Sequence, residues 1–328
     1  MIVLGIESSC DETSAAVVRD DHLLSNIIAS QEVHREFGGV VPELASRAHA
    51  RHIVPIVKQA LRQANVTINE IDGIAVTYGP GLVGSLLVGL NFAKALAFTH
   101  SIPFVGVNHI EGHIWANFID VSEPQPPFIA LIISGGHTQL VIVEAWGTYR
   151  TIGKTKDDAA GEAFDKVAKM MNLGYPGGPV IDRMAKNANS QFVRFPRAMM
   201  TDGNYDFSFS GLKTAVLYYL REHGPENHQA DVVASFQAAL SDVLIEKTIQ
   251  AAKAHRLSSI VLAGGVACNS YIRNNFQVRA TDEKLNVYLP KPILCTDNAA
   301  MIARAGLLKL NQGEVSGYDL APKPSLRL

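Results

Sequence analysis

One outline occurs twice in this chain, near the start of each half, and it restricts the fold more than any other feature. Ile2-Val3-Leu4-Gly5-Ile6 is an apolar strand pattern, residues 7–13 form a polar turn, and Ser14-Ala15-Ala16-Val17-Val18 returns as a second strand. The stretch 128–133, then Ser134-Gly135-Gly136-His137-Thr138, then Leu140-Val141-Ile142-Val143 repeats it. Two hairpins with hydroxyl-rich or glycine-rich tips, so placed, imply an internal duplication. A further apolar strand, Ile260-Val261-Leu262-Ala263, runs into Gly264-Gly265 and then a helix from about Asn269. Helical periodicity covers 83–98, 159–171, 231–255 and 298–310. Strands alternating with helices predict an α/β fold. The proline-rich stretch Glu123-Pro124-Gln125-Pro126-Pro127 is the best linker. The expected division is therefore 1–127 and 128–328, with the last helix packing back on the first domain. Ala321-Pro322-Lys323-Pro324-Ser325 predicts an irregular tail.

Composition agrees with this frame. A chain of 328 residues, 47% hydrophobic and 18% charged, is long enough for two cores and is neither disordered nor fibrous. The first residues enter a strand with no basic leader, and no apolar run reaches the length of a membrane span. Three scattered cysteines, Cys10, Cys268 and Cys295, predict reduced thiols and a cytoplasmic location. A net charge of −2 gives no general affinity for nucleic acid. Any contact with RNA then needs a local basic patch or a partner's surface. Arg194, Arg197, Lys213, Lys154 and Lys156, interleaved with Phe207 and Phe209, are the local material for one, although scattered solvated charges with core aromatics account for the same stretch at least as well.

Chemistry first shows in Asn108-His109-Ile110-Glu111-Gly112-His113. On a helix, histidines four apart stack on one face and can grip one metal ion. In a HExxH protease the glutamate follows the first histidine directly, about 100° round the helix, and reaches the metal-bound water. Glu111 instead follows by two, roughly 200° away, on the far side from the metal face. The metal pair is plausible and the protease base is not. Buried, hydrogen-bonded histidines with no metal account for the same spacing about equally well.

The hairpin tips offer a second chemistry. Turns without side chains let backbone N–H groups approach a phosphate, and Ser or Thr hydroxyls add donors. Ser8-Ser9 with Asp11-Glu12-Thr13, and Ser134-Gly135-Gly136-His137-Thr138, could grip phosphates, with the acids suited to a bound cation. Duplicated hairpins and a later glycine turn resemble the superfamily of actin, hexokinase and heat-shock chaperones. That resemblance implies two ribonuclease-H-like domains, with nucleotide and metal in the cleft between them.

Within that superfamily the chain resembles the bacterial form of the universal tRNA adenosine threonylcarbamoyltransferase family, once labelled an O-sialoglycoprotein endopeptidase. The resemblance is carried by Gly5-Ile6-Glu7-Ser8-Ser9-Cys10-Asp11-Glu12-Thr13-Ser14, Gly38-Gly39-Val40-Val41-Pro42-Glu43 and Gly79-Pro80-Gly81-Leu82. It continues through His109-Ile110-Glu111-Gly112-His113, Ser134-Gly135-Gly136-His137-Thr138, Phe207-Ser208-Phe209-Ser210-Gly211-Leu212-Lys213 and Cys295-Thr296-Asp297-Asn298. These motifs run in order over nearly the whole chain.

The resemblance implies transfer of threonylcarbamoyl from threonylcarbamoyl-AMP to N6 of adenine 37 in tRNAs reading ANN codons, giving t6A. It implies one metal ion, Fe2+ first and Zn2+ second, on His109, His113 and Asp297. Asp297 also stands where it could merely cap the following helix. Threonylcarbamoyl-AMP, or ATP or AMP, would lie on Ile132, Ile133, Ser134, Gly135, Gly136, Asp165, Gly178, Asp182 and Asn269. Asp11, Glu12 and His137 are candidates to take the proton by position only. The implied partners are tRNA, a paralogous subunit of the same fold and a small P-loop ATPase, with no membrane. Because Asp297 is so distant in sequence from the histidines, an ion on all three would hold the two halves together. The competing readings are an actin-like small-molecule kinase, a nucleotide-dependent chaperone and, less well supported, a metallopeptidase.

Overall fold

The structure, a computed structural model, describes residues 1–31, 34, 39–200 and 203–328. Gly38 of the 38–43 motif lies outside the described residues. The chain forms two compact units, Met1–Glu123 with Thr296–Leu328, and Pro124–Cys295.

Unit 1 is built on a sheet of five strands. β1 (Ile2–Glu7), β2 (Glu12–Arg19) and β3 (His22–Ser30) form an antiparallel meander. β4 (Gly73–Gly79) and β5 (Phe104–Asn108) extend it parallel to β1, giving the order β3-β2-β1-β4-β5. Helix α1 (Pro42–Gln63) precedes β4, and α2 (Val83–His100) crosses from β4 to β5. Leu4, Ile6, Val17, Ile74 and Val76 point from the sheet into a core shared with Ile53, Val57, Leu90 and Ala93. Burying each such side chain contributes about 1.5–3 kcal/mol. A short helix, α3 (His109–Trp115), follows β5 directly and is wholly buried.

Unit 2 repeats the sheet. β6 (Phe128–Ile133), β7 (Thr138–Ala145) and β8 (Thr148–Lys154) are the meander, and β9 (Ser259–Ala263) and β10 (Asn286–Tyr288) lie parallel to β6. The order β10-β9-β6-β7-β8 is that of unit 1 with corresponding strands. Its helices are α4 (Ala160–Met170), α5 (Gly177–Ala185), α6 (Ser210–His223), α7 (Gln229–Ala254), α8 (Ser270–Asp282) and the single turn α9 (Pro292–Cys295). The core centres on α7, where Phe236 meets Phe164 edge-on with ring centroids 5.4 Å apart.

The last helix, α10 (Ala299–Asn311), returns to unit 1 and lies against β1, β4 and α3. Glycines allow that approach: a Cβ on Gly5 would sit 2.3 Å from the Ala299 carbonyl oxygen, and one on Gly306 would sit 2.2 Å from Ala75 Cβ.

Three expectations need correction. The strand β1 runs on through Glu7, because its carboxylate is buried and bonded inside the protein instead of exposed in a turn. One helix does reach the length and apolarity of a membrane span: α2, 18 residues with mean hydropathy 1.2. It is the crossover helix of unit 1, with one third of that window buried. Phe207 and Phe209, considered above as part of an RNA patch, are fully buried and stack on each other at 6.3 Å. Three of the cations there are spent on carboxylates: Arg197 on Asp242 at 2.9 Å, Lys213 on Asp158 at 2.8 Å and Lys156 on Asp206 at 2.7 Å. Arg194 and Lys154 remain exposed.

Candidate metal centre and nucleotide cradle

The candidate metal centre starts from α3. Its first residue is His109, because Asn108 ends β5 and caps the helix, accepting the N–H groups of Ile110 at 2.8 Å and Glu111 at 3.4 Å. One turn on, His113 faces the same way, and the two rings meet edge-to-face at 4.7 Å. A Cβ on Gly112 would sit 2.8 Å from Ile302 Cδ1, so the glycine lets α10 lie directly on α3. That brings in Asp297, whose Oδ1 is 3.4 Å from His109 Nε2 and 3.2 Å from His113 Nε2. Capping of α10 falls to Asn298, whose side chain accepts the Met301 N–H at 3.1 Å, which leaves Asp297 for the histidines.

One donor atom from each of the three lies within 4.8 Å of the others, so the cluster could hold a metal ion. The residues fit that use. Among the described residues, neither nitrogen of the fully buried His113 has a hydrogen-bond partner, although Nε2 is 3.2 Å from Asp297. Close but misaligned donors are what converge on a shared ion. All three donors belong to unit 1, so an ion would tie distant segments of one unit instead of joining the two halves.

Glu7 completes the centre and was not singled out from the sequence. Its Oε2 lies 3.0 Å from His109 Nδ1 and accepts the Thr77 hydroxyl at 2.6 Å. Ser9 Oγ is also 3.1 Å from His109 Nδ1. Beyond its place in the 5–14 motif, the sequence signal for Glu7 is an acid ending an otherwise apolar strand. Burial works against a charge on His109, but Asp297 and Glu7 outweigh it and hold the pKa well above the ordinary imidazole value. Asp297 is held well below the carboxylate range, against burial, by His109 and His113. Burial itself keeps His113 low. Glu111 is turned away from these donors and sits 3.5 Å from Lys309 of α10.

Asp11 lies on the loop between β1 and β2, and Glu12 is the first residue of β2, in the same unit. Burial, then Asp297 and Asp11, push Glu12 up to about 10. The loop is held by His49 of α1, which contacts Thr13 Oγ1 at 2.8 Å and the Cys10 carbonyl at 3.0 Å. The third proton-acceptor candidate, His137, belongs to unit 2, half-buried on the β6–β7 turn.

Every nucleotide candidate falls in unit 2. Ile132 and Ile133 are buried at the end of β6. The turn beyond them is closed by Ser134, whose N–H donates to the His137 carbonyl at 2.8 Å and whose Oγ accepts the His137 N–H at 3.1 Å. Gly135 and Gly136 are exposed, with open space where a Cβ would be. Gly264 has φ +91, and a Cβ there would strike the Ile133 carbonyl oxygen at 2.5 Å, so the β9 turn presses on the end of β6. Asp165 on α4 accepts the Gly177 N–H at 2.7 Å, which pins the start of α5 beside Gly178. Burial raises the Asp165 pKa. Asp182, farther along α5, accepts Ser270 N–H at 3.0 Å and Oγ at 2.8 Å. Asn269 caps α8, accepting the Ile272 N–H at 2.9 Å, and donates to Gln237 at 2.7 Å. These bonds tie α4 to α5 and α5 to α8, although none of them joins two of the candidates directly.

Residues 22–304 match the family model described as tRNA N6-adenosine threonylcarbamoyltransferase. Curated relatives carry the same name: one from Clostridium perfringens (strain SM101 / Type A) is 55% identical over 100% of this chain and 98% of its own. One from Syntrophus aciditrophicus (strain SB) is 54% identical over 96% of this chain and 94% of its own.

This chain belongs to the tRNA N6-adenosine threonylcarbamoyltransferase family. Its activity is accordingly that of a transferase, forming threonylcarbamoyladenosine in tRNA. Solved structures agree on the fold. Full-length HypF in a phosphate- and nucleotide-bound form superposes with a TM-score of 0.65 at 11% identity, over 96% of this chain and 56% of that one. Component A of (R)-2-hydroxyglutaryl-CoA dehydratase from Acidaminococcus fermentans gives 0.57 at 12%, over 95% and 99%. At such identities the likeness is one of fold: two similar mixed sheets with helices, the actin-like ATPase fold.

Proposed function

We propose that this transferase takes threonylcarbamoyl-AMP as donor and adenine 37 of tRNAs reading ANN codons as acceptor, with one divalent ion on His109, His113 and Asp297. The observation that carries the metal reading is the convergence of three donors around a buried His113 with no hydrogen-bond partner among the described residues. Two imidazoles and a carboxylate with open positions suit iron or zinc. Bound there, the ion would supply Lewis acidity toward the carbonyl being transferred.

The remaining work falls to the chain's own groups. Glu7 accepts the Nδ1 proton of His109, which fixes the tautomer with Nε2 free to coordinate. The AMP portion of the donor would lie on Ile132, Ile133, Ser134, Gly135, Gly136, Asp165, Gly178, Asp182 and Asn269. The open backbone at Gly135 and Gly136 lets N–H groups approach the leaving phosphate, where charge grows as the bond breaks. An exocyclic adenine amine is a poor nucleophile, so orientation contributes more than a strong base. Asp11, Glu12 and His137 are the candidates to take the proton by position; Glu12, pushed up to about 10, holds its own proton at neutral pH and would first have to lose it. The protein works in the cytoplasm with a paralogous subunit of the same fold and a small P-loop ATPase. These partners supply phosphate contacts that the paired cations of unit 2 do not.

The test is transfer from synthetic threonylcarbamoyl-AMP to unmodified tRNA, with the partners present, comparing wild type with His109→Ala. Modified nucleoside from wild type alone supports both the donor and the metal role. Equal product from both proteins would reduce the histidines to structure.

A further inference from the structure

Asn108 does more than cap α3. Its Nδ2 donates to the Arg327 carbonyl at 3.0 Å, tying the residue beside His109 to the closing irregular stretch of the chain. That stretch is fastened elsewhere on unit 1. The Lys323 N–H donates to the Tyr78 carbonyl at 2.7 Å, and the Gly81 N–H donates to the Pro324 carbonyl at 3.1 Å. Lys94 Nζ reaches the Leu320 carbonyl at 2.5 Å, and the Lys323 ammonium lies 5.9 Å over the Tyr78 ring. A Cβ on Gly79 would sit 2.1 Å from the Lys323 carbonyl oxygen, so the stretch rests directly on the turn at 79–81.

The other side of that turn rests on Ser9. The Leu82 N–H donates to the Ser9 carbonyl at 2.8 Å, and a Cβ on Gly81 would sit 2.5 Å from the same oxygen. Ser9 Oγ is 3.1 Å from His109 Nδ1. The closing stretch therefore reaches His109 by two routes, one through the helix cap and one through the turn and Ser9.

A helix of seven residues cannot hold its own geometry, because nucleation costs more than so few hydrogen bonds return. Its direction is set by what grips its ends. An irregular terminal stretch is ordinarily free to fray, whereas this one is bonded at four points.

We infer that residues 323–327 are a positioning strap for the His109 and His113 pair, acting through Asn108 on one side and the 79–81 turn on the other. The inference rests on the proposed metal reading for its consequence, since coordination tolerates only about 0.5 Å of misplacement. The strap touches no reacting atom; it sets where the imidazoles point.

The test uses the full chain with Co2+ as a visible-absorbing probe, together with hydrogen exchange at amides 110–116. Asn108→Asp keeps the oxygen that caps α3 and removes the donor to Arg327. A second variant lacks residues 324–328. We expect both to weaken Co2+ binding by about tenfold, the scale of a lost outer contact to a metal ligand, and to shift its absorption bands. Exchange at 110–116 should quicken, with β6 and β9 unchanged. Co2+ affinity within twofold of wild type and unchanged exchange in Asn108→Asp would overturn the strap, even if the shortened chain fails to fold. If wild type takes up no Co2+, or His113→Ala takes up as much, the metal reading falls instead. Exchange at 110–116 then decides the strap alone, and no change in either variant sinks it.

Discussion

Glu7 Oε2 and His109 Nδ1 are 3.0 Å apart, and the pair joins the last residue of β1 to the first residue of α3. The carboxylate is fully buried and also receives the Thr77 hydroxyl, so its position is fixed before any ligand arrives. Replacing Glu7 by Gln keeps the volume but removes the charge that orients the imidazole. Metal affinity should fall by about 10–100-fold with the fold intact. Metal content after dialysis, read beside a circular dichroism spectrum, checks this; undiminished metal would show that His109 needs no such orientation.

His113 supplies a second prediction. An ion that binds only the folded chain stabilises it by about 2.7 kcal/mol at a hundredfold excess over its dissociation constant. Wild type should therefore melt at higher temperature with Zn2+ than with chelator, and His113→Ala should melt at the same temperature in both. A metal-dependent shift that survives in the variant would place the ion elsewhere.

The contact of α10 with β1 depends on Gly5, where any Cβ meets the Ala299 carbonyl oxygen. Gly5→Val should destabilise unit 1 by about 1–3 kcal/mol through overpacking. Because Asp297 stands two residues before that helix, metal affinity should fall with it. Urea unfolding and a metal titration on the same variant measure both effects. A stable variant with full affinity would show that α10 can shift without moving Asp297.

Acid should act through Asp157. Its carboxylate accepts Ser208 Oγ at 2.6 Å, Ser210 Oγ at 2.7 Å and Phe209 N–H at 2.8 Å. Against the opposing effect of burial, those bonds hold its pKa below the ordinary value. A depressed folded pKa gives stability that is complete above the unfolded value, near 4, and is lost as pH falls through the folded one. The urea midpoint of wild type should drop below about pH 4, and Asp157→Asn should flatten that drop. Parallel curves for the two proteins would assign the acid sensitivity elsewhere.

Much of this was legible in the residues. Apolar patterning located β1, β2, β6, β7, β9 and the helices α2, α4, α7 and α10, because each carries a sustained apolar run, continuous in some and periodic in others. The edge strands β3 and β8 were not singled out, since a strand half-exposed on the margin of a sheet carries a weaker alternation. The four-residue spacing of His109 and His113 marks them in the sequence itself, and the resemblance marks Asp297. Glu7 escaped notice because one acid at a strand end looks like the start of a loop. Lys213, Lys156 and Arg197 misled in the other direction, since charge in a sequence does not reveal the carboxylate facing it.

By itself the sequence determined the duplication, the family and the helical spacing of the two histidines. These depend on local period and on motifs in fixed order, which a chain carries whether or not it is folded. The tertiary structure alone decided that Asp297 meets both histidines inside unit 1, that Glu7 holds His109, and that Asn298 takes the capping role. Each is a contact between segments far apart in the chain. Such contacts form only where packing, here α10 against Gly5 and Gly112, brings the backbones close enough.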